Sequence, residues 1–389
     1  MALALLPAYL INQVTVQGSA FGASGAVVLR AGETISSSAV LAAVQAAGGQ
    51  VASTSDPVVS AAALIVAKLR SNGADERILN ETMIAALAAA GDSGEGNGVY
   101  GDGSDGNLVF DGTTTVLSLA PTLKVYTLTR DVLAKNLTVN TGVTIVTAGF
   151  RIFTSQQLLN NGTIHDGGSA GAAASAGTGG VGGAAAPAGS LAGGTAGGAG
   201  SSGVGAGTGG TNQTASTGFP GQTAGAGGAG GQATGSDLGG VGGTWSAMAA
   251  ASGAMRTLTN AIDGNTINGS GTTVVLHGGA GGGGGGGDNA DAGGGAGGGG
   301  GGVLVIAAFQ LVNNGVIHTN GGAGSAGVSA AHDAGGGGGG AGGVTITVSR
   351  QYSGTGTYTA AGGAGGAAAG ASGTAGSVGS TGTVLQLAA

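Results

Sequence analysis

GTGGVGGAAAPAGSLAGGTAGGAGSSGVGAGTGGTNQTASTGFPGQTAGAGGAGGQATGSDLGGVGG, residues 177–243, repeats with a period of three. Of its 28 glycines only Gly193, Gly205 and Gly235 fall in the third phase; the repeating unit is X-Gly-Gly. Three residues per turn belongs to neither an α-helix nor a half-buried strand but to the left-handed polyproline II helix. Two of its three faces are then bare backbone. Such a helix satisfies none of its own N–H and C=O groups, so a packed one bonds sideways to neighbours, and glycine lets the backbones approach. Collagen needs glycine strictly at every third position and abundant proline; here neither glycine phase is unbroken and the chain has 5 Pro. A disordered Gly-Ala-Ser linker has no reason to keep its glycines in phase over such a length.

The whole chain, 389 residues with 95 Gly and 3% aromatics, is poor in material for one large apolar core. Ordering glycine is entropically expensive, so the fold needs dense backbone hydrogen bonding or partner chains, which points to an oligomer or a lattice. A charged fraction of 7% and a net charge of −7 offer no basic surface for nucleic acid. Without cysteine there is neither a disulfide framework nor a thiolate metal site. The apolar start of the chain has no charge before Arg30, contains Pro7 and is too short for a membrane span, so neither a classical export signal nor a transmembrane helix is expected.

Residues 1–91 read as an N-terminal α+β attachment module: a hairpin within 10–35 from Val14-Thr15-Val16 and Ala26-Val27-Val28-Leu29, then helices capped near Ser36, Asp56 and Asp75. Residues 92–106, rich in Gly, Asp and Ser, read as a linker. Residues 107–166 carry short, closely spaced β-prone runs, the pattern of stacked strands of β-helix or β-prism type. The polyglycine lattice is assigned to 167–243, a helical insertion with Trp245, Met248, Met255, Leu258 and Ile262 to 244–270, and strand plus glycine-helix repeats to 271–389. The repeat is explicit. Asn160-Asn161-Gly162-Thr163-Ile164-His165 recurs as Asn313-Asn314-Gly315-Val316-Ile317-His318, with a looser copy at Gly356-Thr357-Tyr358-Thr359. Val303-Leu304-Val305-Ile306 recurs as Val344-Thr345-Ile346-Thr347, with an echo at Thr383-Val384-Leu385-Gln386-Leu387. Such units stack, since none buries its face alone. The fold class is therefore mixed: a small α+β module, short stacked strands, and a glycine-rich polyproline/polyglycine II lattice.

No catalytic constellation emerges. His165 and His318 occupy one repeat position, which assigns them a structural role. The loops Asp102-Gly103-Ser104-Asp105-Gly106 and Asp288-Asn289-Ala290-Asp291 lack the spacing of known calcium motifs and read as solvated turns. Gly-rich strings here contain no Gly-Lys-Ser or Gly-Lys-Thr, so they are not phosphate loops. Between residues 112 and 236, Asp131 and Asp166 are the carboxylates the strands offer, no basis for a glycosidase pair. No enzyme activity, cofactor or metal is expected.

Gly101-Asp102-Gly103-Ser104-Asp105-Gly106-Asn107, leading into Phe110-Asp111-Gly112-Thr113-Thr114, Asn136-Leu137-Thr138-Val139, Gly149-Phe150-Arg151-Ile152-Phe153 and the Asn160–His165 motif, resembles a Gly-rich repeat region of tailed-bacteriophage virion proteins. The glycine tracts also resemble the polyglycine II sandwich of phage tail-fibre tip adhesins. That resemblance implies a structural, adhesive protein on the phage particle surface, a tail fibre or spike and a homotrimer. Residues 1–91 would mount it on other virion proteins, and loops between glycine helices would contact a bacterial surface receptor, a polysaccharide or an outer-surface protein. Loops that break the X-Gly-Gly rhythm are the receptor-binding candidates: Thr211, Asn212 and Gln213, Phe219 and Pro220, and Trp245; Tyr352 is a further aromatic able to stack on a sugar. A head decoration with the same body is one alternative. A bacterial surface protein similar to the mycobacterial Gly-rich repeat family is another, although the Pro-Glu motif of that family's N-terminal domain is missing, and an ice-binding protein is a more distant one.

Overall fold

The computed structural model describes residues 14–15, 34–35, 99–213, 227–233, 237–244, 261–263, 265–267 and 273–388. The chain divides into two compact units, Met1–Asn97 and Gly98–Ala389. In the first, β1 (Val14–Thr15) pairs antiparallel with β2 (Thr34–Ile35), Val14 opposite Ile35. The expected partner run at 26–29 and the three expected helices lie outside the described residues. The boundary corrects the linker expected at 92–106. Residues 99–106 belong to the second unit because their side chains are engaged there: the Tyr100 ring meets Phe309 edge-on at 5.9 Å, and Asp105 accepts from Arg130 at 2.6 Å and from the Leu133 N–H at 2.8 Å.

The second unit contains two parallel sheets. The larger has the order β16 (Thr383–Ala388), β14 (Val344–Ser353), β12 (Val303–Asn313), β8 (Ile152–Asn160), β6 (Asn136–Val139), β3 (Asn107–Phe110), with β5 (Val132–Ala134) also on β8. The smaller runs β15 (Thr357–Thr359), β13 (Val316–His318), β9 (Thr163–His165), β7 (Thr144–Val146), β4 (Val125–Thr127). The internal repeat of the sequence is the register of these ladders. Val303 lies opposite Val344 and Val344 opposite Thr383; Asn160 lies opposite Asn313 and His165 opposite His318. Like residues therefore stack in columns. Tyr126, Ile145, Ile164, Ile317 and Tyr358 form one in the small sheet, and Leu137, Leu158 and Leu311 form one in the large sheet. These columns build one apolar core with Phe110, Ile152 and Ile306. A second core, with Phe153, Val303, Val305, Val344, Ile346 and Leu276, makes β12 buried on both faces, which is why its first six residues are continuously apolar.

Much of the rest of the described unit is glycine-rich segments that are not strands. Three of these, 278–287, 292–302 and 334–343, are central. In the first, the N–H groups of Gly282, Gly283 and Gly284 donate to the carbonyls of Gly298 (2.8 Å), Gly228 (2.9 Å) and Thr208 (2.9 Å), and those of Gly285, Gly286 and Gly287 repeat the same three directions to Gly295, Gly231 and Gly205. Its carbonyls at Gly284, Gly285 and Gly286 accept from Gly240, Ser201 and Gly335. The segment thus has six hydrogen-bonded neighbours, and the other two central segments are surrounded in the same way. Around the three runs a closed ring of nine: 167–172, 178–186, 193–201, 205–213, 237–244, 227–233, 373–382, 360–369 and 319–328, each bonded to the next and the last to the first.

Position in this lattice dictates sequence. A central segment has no outward face, so it is nearly pure glycine: a Cβ on Gly284 would run into the Ala199 carbonyl. A ring segment turns every third residue to solvent, hence Val181 at 71%, Val241 at 74% and Val378 at 67% exposure. Segments 292–302, 334–343 and 373–382 lead directly into β12, β14 and β16, while 167–172, 319–328 and 360–369 continue from β9, β13 and β15. Sheets and glycine segments are one sideways-bonded array.

Helix is almost absent among the described residues. Of the expected helical insertion at 244–270, Ala261–Ile262 is helical, and β10 (Asn265–Ile267) pairs antiparallel with β11 (Thr273–Val275). Residues 245–260 lie outside the description. No described helix is long and apolar enough to cross a membrane.

Candidate binding loops at the two ends of the lattice

Each glycine segment runs between the sheet end of the lattice and a far end, so its connections form two groups of loops. Thr211, Asn212 and Gln213 close segment 205–213 at the sheet end. Phe219, Pro220 and Trp245, which follow segments ending there, lie outside the described residues. The Thr211 N–H donates to the Ala196 carbonyl at 3.0 Å, and its carbonyl accepts from the Thr195 hydroxyl at 2.6 Å. Asn212 accepts the Thr244 N–H through Oδ1 at 2.8 Å. Gln213 departs from the expectation of a receptor contact. It is buried, and its Nε2 donates to the carbonyls of Gly193 (3.1 Å) and Gly278 (3.4 Å), tying segments together. Among the described candidates at this end, Thr211 and Asn212 are the exposed ones.

Tyr352 is likewise a packing residue rather than a stacking platform: it lies against the first core and its hydroxyl donates to the carbonyls of Thr347 (2.8 Å) and Leu387 (3.0 Å). Close by the sheet end, Arg151 bridges Asp131 (2.6 Å) and Asp263 (3.2 Å), and Ser190 donates to Asp131 at 2.6 Å. Partial burial pushes the Asp131 carboxyl up, but the Arg151 guanidinium and N–H and the Ser190 hydroxyl outweigh it and hold the group below the usual range.

The far end carries a polar network that sequence reading treated only as turns. His332 places Nδ1 2.6 Å from Asp291 Oδ1 and Nε2 3.1 Å from the Asn289 amide nitrogen, and its N–H donates to the Ser329 hydroxyl at 2.9 Å. The Asp333 N–H donates to Asp288 Oδ1 at 3.0 Å, and Asp333 Oδ1 accepts the Ser372 N–H at 2.9 Å. Three connections, 288–291, 329–333 and 370–372, are thereby tied together. Nothing in the sequence brings residues about forty positions apart to one place except the offsets of the repeats, 41 residues from Val303 to Val344 and 39 from Val344 to Thr383, which set segment 334–343 beside 292–302 and 373–382. The surface offers carboxylate, imidazole and amide groups, suited to hydrogen bonding a hydroxyl-rich ligand. Ser329 meets the His332 backbone rather than its ring, and among the described residues no nucleophile is hydrogen-bonded to that ring. At the other acidic loop, Asp102 Oδ1 accepts the Ser104 N–H, a local turn. Among the described residues no group of three or more His, Cys, Asp or Glu is placed to hold a metal ion.

His165 and His318 stack with ring centroids 4.8 Å apart and planes 5° from parallel. Each ring accepts, at Nδ1, the N–H two residues on: Gly167 at 3.1 Å and Asn320 at 3.3 Å. Both are thus neutral structural imidazoles, burial lowering each and the His165 neighbour adding to the shift that takes His318 down to about 4. No protein-family model, curated protein or solved structure matches this chain.

Proposed function

We propose that this protein is a structural, non-enzymatic component of a phage particle, a tail fibre or spike whose glycine body presents loops to a bacterial surface receptor. The observation that carries this reading is the hydrogen bonding of the central segments in three directions to six neighbours. Fixed in that way, the loop groups at both ends are held at constant spacing without a large apolar core, and binding residues on loops over a rigid scaffold are the usual arrangement. In finer terms, the body is a polyglycine II lattice and the paired parallel sheets a short β-helix. Support comes from the sideways bonding, from the period of three in solvent exposure along the ring segments, and from left-handed φ being confined among the described glycines largely to turns. Assignment to a virion, with mounting through residues 1–91 and trimeric assembly, rests on the sequence resemblance.

The test uses the labelled full-length chain on a panel of intact bacteria and purified envelope polysaccharides, beside Asn212→Ala for the sheet end and Asn289→Ala for the far end. Saturable binding to a subset, weakened by one substitution at an unchanged melting temperature, is expected. Binding that neither substitution alters, or none anywhere on the panel, counts against the adhesin and leaves the head-decoration alternative.

A further inference from the structure

We propose that Asp166 is a proton-operated latch at the joint between the small sheet and the glycine lattice, closed when its carboxyl is protonated. Asp166 follows β9 directly and opens segment 167–172. Its backbone is fully used, the N–H donating to the His318 carbonyl at 3.1 Å and the carbonyl accepting from Gly302 at 2.7 Å. Its side chain has no solvent exposure, and neither carboxyl oxygen accepts a hydrogen bond of good geometry, the N–H groups of Ala148 and Gly149 facing it without closing one. Gly302 lies so near that a Cβ there would strike Oδ2. A carboxylate in such a place neutralises rather than stay charged.

The surroundings supply no counter-charge. The turn at 147–150 brings the N–H groups of Ala148 and Gly149 toward the carboxyl, and segments 178–186 and 292–302 contribute Ala186 and Gly302. The titratable groups nearby are His165 on its own strand and His318 on β13, both held neutral. Beyond the turn lies the Asp131–Arg151 pair, already closed on itself. The two following rungs carry Thr319 and Ala360 at the equivalent place, and Thr319 pairs its hydroxyl with Thr345 at 3.0 Å. The ionisable residue is thus particular to the β9 rung.

Burial pushes the Asp166 carboxyl up to about 7, only partly offset by Gly149 and Ala148. A folded pKa above the unfolded value of 3.8 means that the unfolded chain is the stronger acid. Stability from this group is complete below the unfolded value and falls as pH rises toward 7. The span corresponds to a fall of about a thousand-fold in the folding equilibrium constant.

Full-length protein and Asp166→Asn are unfolded in denaturant from pH 5 to 8.5. The wild type is expected to lose stability relative to the variant as pH rises, whereas a pH-independent difference overturns the latch. Asp166→Thr, which copies the β13 rung, serves if the amide variant does not fold. In the wild type alone, hydrogen exchange at Gly168 and Gly302 must quicken with pH beyond the intrinsic chemical rate, and infrared difference spectra must show a protonated carboxyl disappearing toward pH 8. A carboxyl already ionised at pH 5.5 refutes the proposal.

Discussion

At the scale of single residues the lattice makes glycine obligatory by contact. A Cβ on Gly284 would meet the Ala199 carbonyl and lie 2.7 Å from the Gly200 nitrogen, backbone atoms that cannot swing aside as a side chain would. Gly284→Ala is expected to cost about 3 kcal/mol or more, at the upper end of overpacking effects. Ala364→Ser, on the outward face of a ring segment, stays within about 0.5 kcal/mol; urea unfolding of the two variants measures the contrast. The opposite sign is expected at the turn Thr122–Val125, closed by reciprocal hydrogen bonds of 3.0 Å. Leu123 and Lys124 both take left-handed φ there, 51° and 65°, and Leu123 is 93% exposed. Such a turn favours Asn followed by Gly, and a branched residue in it is strained. Leu123→Asn should therefore stabilise by about 1 kcal/mol, read as a higher denaturation midpoint. No change or a loss would mean that Leu123 has a contact of its own.

Elements show where sequence reading succeeded and where it could not. The strand repeat was legible because equal residues had to stack: spacing alone aligned Asn160 with Asn313, His165 with His318 and Val303 with Val344, and the ladders keep that register. The period of three in 177–243 was legible as two bonded faces and one outward face. The unbroken run Gly281–Gly287 was not, because a segment bonded on every side has no X residue left to mark its phase. Receptor-loop candidates were sought where the rhythm broke, which finds Gln213; yet a break in rhythm also arises where a side chain ties segments together. The far-end network escaped notice because its parts, Asp291, His332 and Ser372, meet only through folding. The stacked histidines supply the element's own prediction. With a folded pKa near 4 against an unfolded 6.5, His318 gives stability that is complete above 6.5 and is lost as pH falls toward 4. His318→Gln should flatten the fall in melting temperature between those values, a slope opposite in sign to that of Asp166. An equal acid slope in the variant would clear His318 of the effect.

For the whole molecule, composition argued that so glycine-rich a chain needs either dense backbone hydrogen bonding or partner chains to order it, and the trimer drew in part on the second of these. The lattice removes this reason. Its three central segments and the ring around them come from one chain, and the ring closes when segment 167–172 donates to 319–328 at one side and bonds 178–186 at the other. Backbone hydrogen bonds, each worth about 1 kcal/mol net, add up in number because nearly every glycine N–H of the three central segments has a carbonyl from another segment opposite it. Cooperativity follows, since removing a central segment strips partners from six neighbours at once. The body should therefore melt in one transition, with loss of a polyproline II circular dichroism signal, at a temperature that does not change with protein concentration across two decades. A lattice completed by other chains would instead melt higher as concentration rises, by mass action. That outcome would return the ordering of the glycines to the assembly, whereas a constant midpoint places it within the single chain even if native mass then reports a trimer, whose contacts would have to lie elsewhere.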